Sequence, residues 1–390
     1  MINNQKSNTG KMKLTIVIVS IFITAGFAQQ KNSSLKKAFH DDFYIGTALD
    51  SMQVIGKDVD AIHLVNHQFN SIVAENCMKI EKIQPQEGVF DMTLPDQFVK
   101  FGEKNKMKII GHNLVWHSQT PAWFFVDKAG QQVSREVLIQ RMRKHITTLV
   151  SRYKGRIDGW DVVNEALEDD GTMRKSLWYK IIGPDFIELA FKFAHEADPK
   201  AELYYNDYNL FKPSKRAGAV GIVKMLQAKG CRIDAVGEQG HYSLGMNIFD
   251  DLEGSIVAFS NLGVKVMITE LDLTILPFPS SEITADVSMS YKNSEKYNPY
   301  TKEVPQSVLN EFSDYYVKLF KIFVKHKEAI DRVTFWGVND GQSWRNYWPI
   351  KIRTDYPLLF DRDNKAKPVV DRIIKESKTT ESVTKLAELN

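Results

Sequence analysis

Two glutamates carry the most chemical promise in this chain of 390 residues. Glu165 follows the apolar run 159–163 and the single Asn164, and Glu270 closes the run 265–270. Two carboxyls facing each other across a site can cleave a glycosidic bond. One stays protonated and gives its proton to the leaving oxygen, while the other stays ionised and attacks the anomeric carbon. That division requires surroundings that push the two pKa values apart. The residues that recur near such positions here are Trp, Asn, Gln and His. Tryptophan gives a flat apolar face for a sugar ring, and the others give directional hydrogen bonds to hydroxyls.

These groups lie far apart in the chain, so a scaffold must gather them. Eight short apolar runs stand at 44–49, 71–74, 108–114, 159–163, 202–206, 235–238, 265–270 and 331–336. Between them lie amphipathic stretches of helical length, such as 135–152, 184–197, 213–229 and 307–326. Strand and helix alternating eight times predict an α/β fold, a single (β/α)8 TIM barrel, because parallel strands need crossover helices. In such a barrel, functional groups project from the C-terminal ends of the strands.

Those ends are loaded. The second run leads into Glu75, Asn76 and Lys79, and the third into His112, Trp116, His117 and Gln119. The fourth ends in Asn164 and Glu165, the fifth in Asn206 and Asp207, and the sixth in Gln239 and His241. The seventh ends in Glu270 and Asp272, and the eighth in Trp336, Asn339, Asp340 and Trp344. A lone glutamate after a strand is more often a cap or a surface charge, and His145 or His195 on a helix reads as structural. Polar groups at seven of eight ends have no packing explanation, since burying them unpaired is costly. They predict a site.

Other chemistries fit less well. A metal-dependent barrel hydrolase needs a His-x-His or equivalent ligand set, and His112 and His117 lack a third histidine nearby. No metal and no cofactor is therefore expected. No glycine-rich loop for phosphate follows the last two runs. A non-catalytic sugar-binding barrel would keep the aromatics and lose one glutamate, and both are present. Ordinary hydrophobic (43%) and charged (25%) contents exclude disorder for the bulk of the chain. The net charge of +3 comes from Lys6, Lys11 and Lys13. The remainder is formally neutral, a poor match for nucleic acid and a better one for a neutral polysaccharide.

Residues 1–28 read as a secretory signal peptide: lysines, the apolar run 14–25, and Gly26-Phe27-Ala28 before a cut at Gln29. That run is too short to span a bilayer, so the mature chain is expected to have no membrane span and to be periplasmic or extracellular. A linker is expected over 29–39, the catalytic barrel over 40–376 and a polar tail over 377–390. Cys77 and Cys231, the only cysteines, fall at opposite ends of the barrel and are expected to stay unpaired. The long connection 273–305 holds Phe278, Tyr291, Tyr297 and Tyr300, which suggests a substrate wall.

Gly111-His112-Asn113-Leu114-Val115-Trp116-His117-Ser118-Gln119-Thr120-Pro121-Ala122-Trp123 resembles a motif of glycoside hydrolase family 10, the endo-β-1,4-xylanases. So do Trp160-Asp161-Val162-Val163-Asn164-Glu165-Ala166 and Ile268-Thr269-Glu270-Leu271-Asp272. Three more stretches match in family order: Asn206-Asp207-Tyr208-Asn209, Gly237-Glu238-Gln239-Gly240-His241, and Phe335-Trp336-Gly337-Val338-Asn339-Asp340-Gly341.

The resemblance implies a retaining endo-1,4-β-xylanase acting on xylan and xylo-oligosaccharides as a monomer, with Glu165 as acid/base and Glu270 as nucleophile. A barrel hydrolase for another β-1,4-glycan stands as the alternative, with the non-catalytic sugar binder. The resemblance also implies that Asn164 holds the sugar 2-hydroxyl and that His241 and Asp272 orient the nucleophile. Glu75, Asn76, Lys79, His112, Trp116, Gln119, Gln239, Trp336 and Trp344 would bind sugars, and Asn206 and Tyr208 would lie near the reducing-side subsites. Cys77, Ile80, Asn339 and Arg345 depart from the family pattern, none of them at the chemistry. Arg345, after Trp344, is expected to reach an acidic side group of decorated xylan or to be a solvated loop residue.

Overall fold

The computed structural model describes Met1, residues 34–280 and residues 286–377. The expected signal peptide beyond Met1, the linker residues 29–33 and the tail residues 378–390 lie outside the described residues.

Among the described residues nine strands form, all paired in parallel: β1 Tyr44–Leu49, β2 Ser71–Ala74, β3 Lys108–Trp116, β4 Gly159–Asn164, β5 Glu202–Asp207, β6 Ala235–Glu238, β7 His241–Ser243, β8 Lys265–Thr274 and β9 Ile330–Phe335. β1 to β6 pair in sequence, β6 pairs with β8, β8 with β9, and β9 returns to β1, closing an eight-stranded barrel. Closure pairs each of those eight strands on both sides, while β7 pairs with β8 alone. The helical patterns fold as Arg135–Arg152, Phe186–Ala197, Pro213–Ala228 and Gln306–Lys325, close to their expected spans.

Two apolar layers hold the barrel. Inside it, Ala48, Val73, Ile110, Tyr204, Ala235 and Met267 pack beneath Trp336. Outside it, a continuous layer joins the strands to the helices, with Trp160, Phe98, Leu226, Ile256 and Phe320 almost fully buried. Each such side chain contributes roughly 1.5–3 kcal/mol through burial, which offsets the ordering of so long a chain without disulfides. Cys77 and Cys231 are buried and free, as expected.

Four boundaries differ from the sequence reading. Residues 34–39 are part of the domain rather than a linker: Leu35 and Phe39 are fully buried, and the Phe39 ring lies 5.2 Å from that of Phe320. Ser377, expected to begin a polar tail, is buried and donates to the carbonyl of Ile373. β8 runs on to Thr274, so Asp272 sits within a strand. Finally, the sixth barrel strand resumes after a break as β7, whose His241 pairs with Asp272 of β8. The break needs Gly240, which takes φ +85° and where a Cβ would lie 3.0 Å from Ile268. It turns both Gln239 and His241 toward the barrel mouth.

The described part of the connection after β8 packs against the loop that follows β9. Tyr291 N–H donates to Pro349 O at 2.9 Å, and Tyr356 O–H donates to Tyr300 O at 3.0 Å. Phe278 lies 5.8 Å from the Trp348 ring. Among the described residues of this segment Val287 lines the cleft, and Phe278, Tyr291, Tyr297 and Tyr300 are not among its lining residues.

Candidate active site

Glu165 leaves β4 with φ +57°, a left-handed conformation that costs a non-glycine residue about 1–2 kcal/mol. The main chain there is pinned from both sides. Glu165 N–H donates to Asn206 O at 2.9 Å, and Arg174 Nε donates to Glu165 O at 3.1 Å. The carboxyl is equally held: Trp116 Nε1 donates to Oε2 at 2.8 Å, and Gln239 Nε2 donates to Oε1 at 2.9 Å. Burial raises the Glu165 pKa; the bonds from Gln239 and Trp116 pull it back only in part, and the nearby Glu270 charge adds to the rise.

Glu270, also buried, has the opposite environment. Asn206 Nδ2 donates to Oε1 at 2.8 Å, and His241 Nε2 lies 3.2 Å from Oε2. Burial alone would push its pKa up. The His241 hydrogen bond, the His112 and His241 imidazoles and Asn206 outweigh that, and Glu270 lies below the usual carboxylate range. Burial also opposes a charge on His241, yet Asp272 (Nδ1 to Oδ2, 3.0 Å) and Glu270 push it up to about 9. Two carboxyls in one mouth, one raised and one lowered, are poised as an acid and a nucleophile.

Asn164 and Asn206 tie the pair together. Asn206 Nδ2 also donates to Asn164 Oδ1 at 2.9 Å, and Thr269 Oγ1 donates to Asn206 Oδ1 at 2.6 Å. Turning the Asn164 amide over would set its NH2 against that of Asn206 at 2.9 Å. Asn206 cannot turn to relieve this, because its NH2 must face the Glu270 carboxylate.

Thirteen of the sixteen expected site residues line one cleft: Glu75, Asn76, Lys79, His112, Trp116, Gln119, Asn164, Glu165, Gln239, His241, Glu270, Trp336 and Trp344, joined by Val287. Burial pushes Glu75 up to about 7 and lowers Lys79, although Glu75, Glu270 and Glu165 all act to keep Lys79 charged. Lys79 donates to Asn76 Oδ1 at 3.0 Å, and His112 Nδ1 meets Asp161 at 2.9 Å. Among the described residues, no group of three or more His, Cys, Asp or Glu could hold a metal ion.

The other three lie behind this lining. Asp272 and Asn206 are fully buried, and Asn206 supports the Glu270 carboxyl through its Nδ2. Tyr208, 3% exposed, accepts from Arg174 Nη2 at 2.8 Å, and Lys215 Nζ lies 3.4 Å from its ring centre. It is not among the residues lining the cleft, and the Asp207–Lys215 pair (3.0 Å) lies beside it. Arg345 is a further correction. It is 1% exposed and ion-paired to Asp272, neither solvated nor aimed at substrate. Ile80, Cys77 and Asn339 stay off the cleft, as expected of positions away from the chemistry.

Sequence reasoning passed over Arg174 and Val287. Arg174 stands in a polar loop nine residues after Glu165, with no periodicity to mark it, and Val287 sits in a connection whose aromatics drew attention instead.

The sequence profile described as Glycosyl hydrolase family 10 matches residues 34–376. Endo-1,4-beta-xylanase A of Xylanibacter ruminicola is 52% identical over 346 residues, covering 89% of this chain and 94% of that protein. The endo-1,4-beta-xylanase of Geobacillus stearothermophilus is 38% identical over 348 residues, covering 87% and 98%. Among solved structures, a GH10 endoxylanase from a sugarcane soil metagenome superposes with a TM-score of 0.85 at 45% identity, covering 87% of this chain and 99% of that one.

Proposed function

The chain belongs to glycosyl hydrolase family 10, and from that premise we propose that it hydrolyses internal β-1,4 bonds of xylan and xylo-oligosaccharides, with Glu165 as acid/base and Glu270 as nucleophile. The observation that carries this reading is the pair of buried carboxyls in one cleft, Glu165 held by Trp116 and Gln239 and Glu270 by Asn206 and His241, surroundings that push their pKa values in opposite directions. Glu270 attacks the anomeric carbon while Glu165 passes its proton to the departing oxygen, and a covalent glycosyl-enzyme forms. Glu165, now a carboxylate, takes a proton from the water that displaces Glu270, so the product keeps the β configuration. The hydrogen bonds of Gln239 and Trp116 favour the anionic form of Glu165, and so assist the loss of its proton as the leaving group departs.

Asn164 is the candidate partner for the 2-hydroxyl of the sugar at the point of cleavage, since it lies between the carboxyls in the cleft lining. Glu75, Asn76, Lys79, His112, Gln119 and Gln239 supply the remaining polar contacts, with Trp116, Trp336 and Trp344 as apolar faces. The protein is taken to act as a monomer. Export through residues 1–28, with the mature chain beginning at Gln29, rests on the anatomy of that segment. No helix among the described residues is long and apolar enough to cross a membrane.

Product chromatography on xylan beside cellulose, mannan and laminarin tests the reading. Long xylo-oligosaccharides early in the digest are expected. Xylose alone, or faster cleavage of cellulose than of xylan, would overturn it.

A further inference from the structure

We propose that Arg345 is a positioning residue for this reaction: its buried guanidinium holds the Asp272 carboxylate as a fixed anion and, through Asp272 and His241, keeps Glu270 ionised and aimed. The inference rests on the reading of Glu270 as nucleophile. Arg345 Nε lies 3.0 Å and Nη2 2.9 Å from Asp272 Oδ1. The other oxygen, Oδ2, accepts from Trp344 Nε1 at 2.7 Å and meets His241 Nδ1 at 3.0 Å. His241 Nε2 then reaches Glu270 at 3.2 Å. A row of groups therefore runs from the loop after β9, through β8 and β7, to the cleft.

An imidazole between two carboxylates can satisfy both only as a double donor, which requires it to be protonated. The row is then Arg345 positive, Asp272 negative, His241 positive and Glu270 negative, with no net charge. Removing Arg345 leaves one uncompensated negative charge in a buried site, and uptake of a proton is the least costly response. That proton would quench either Asp272 or Glu270.

Other groups facing this region do not replace Arg345. Tyr316, Asp355 and Arg353 also interact with it electrostatically, and Asp340 acts on Tyr316. Asp340 is answered by Lys367 at 2.7 Å, and Asp355 accepts from Thr274 and lies beside Arg353. Among the described residues, Arg345 and His241 are the cations that form ion pairs with Asp272. Nor is the guanidinium free to meet substrate: it lies 4.9 Å from the Trp344 ring centre and 5.3 Å from that of Trp348.

The test is the pH profile of kcat/KM on an aryl xylobioside whose leaving group needs no proton, so that the acid limb reports ionisation of the nucleophile system. Arg345→Met is expected to move that limb up by about one unit and to lower the plateau about tenfold. Arg345→Lys keeps the charge and loses the Nε–H hydrogen bond to Asp272, so its limb should stay near that of wild type with a reduced plateau. A folded Arg345→Met protein with the wild-type limb overturns the proposal. If Arg345→Met does not fold, Arg345→Lys decides. A wild-type limb with a lowered plateau supports the proposal, and a displaced limb or an unchanged plateau overturns it. Full activity of Glu270→Ala on the same substrate would instead overturn the nucleophile reading, whatever the Arg345 variants do.

Discussion

The indole Nε1–H of Trp116 donates to Oε2 of Glu165 at 2.8 Å, so one residue of β3 both faces the cleft and touches the carboxyl that must release a proton. A donor at that oxygen favours the anion, and burial overrides it. Trp116→Phe keeps an apolar ring and removes the donor. The Glu165 pKa should then rise further, by about one unit. Activity that needs a protonated Glu165 is lost as pH rises through that pKa, so the basic limb of kcat/KM should move to higher pH. A basic limb that stays in place, or moves down, would count against the Trp116 bond as a control on the acid.

The two glutamates separate by rescue chemistry. On an aryl xylobioside that needs no acid, Glu165→Ala should form the glycosyl-enzyme and then stall, because water lacks its base. Azide needs no base, so it should restore turnover and give the β product. Glu270→Ala cannot form the intermediate, and azide entering from the vacated face should give the α product. Exchange of the two anomeric outcomes, read by proton NMR, would reverse the assignment.

His241 should couple stability to pH. Its folded-state pKa, about 9, lies above the ordinary value of 6.5. The charged imidazole's contribution is therefore fully present below about 6.5 and lost as pH rises through about 9. His241→Asn removes that contribution, so the gap in Tm between wild type and variant should be wider at pH 6 than at pH 10, by a few degrees. A constant gap across this range would show that His241 is not charged in the folded protein.

Burial pushes the Cys77 thiol up to about 12 and raises that of Cys231 as well. Thiolate, not thiol, is the reactive form. The native protein should therefore give almost no fast thiol reaction at pH 8, and two thiols per chain once denatured. A count of zero after denaturation would mean a disulfide, which two cysteines at opposite ends of the barrel cannot form.

Gly111 is held to glycine by its neighbour across the strand pair. A Cβ there would lie 2.1 Å from the Trp160 ring, itself 1% exposed and hemmed in by the outer core. Gly111→Ala should destabilise the fold by about 1–3 kcal/mol or more, read as a fall in the urea midpoint. An unchanged midpoint would show that the Trp160 ring can yield.

Much of the scaffold was legible because strand and helix periods are local properties of the chain. The runs at 44–49, 71–74 and 235–238 coincide with β1, β2 and β6, and the cleft draws on the residues that follow such runs. The break at Gly240 was less visible. A single glycine inside a motif does not say that the strand resumes, and the pairing of β7 with β8 exists only once the barrel closes.

The sequence by itself determined the barrel, the two glutamates and their polar company, because alternation and residue type act within a few positions of each other. Tertiary structure alone decided which of those polar groups meet a ligand and which stand behind others. Asn206 and Tyr208 stand at the end of β5 as Glu165 stands at the end of β4, yet neither is among the residues lining the cleft, while Val287 comes from a distant loop to it. Arg345 carries no local sign of burial. Its partner, Asp272, lies 73 residues away, and only the closed barrel brings the two to 2.9 Å. An ion pair at that separation depends on the whole fold having formed, and no pattern of neighbouring residues encodes it.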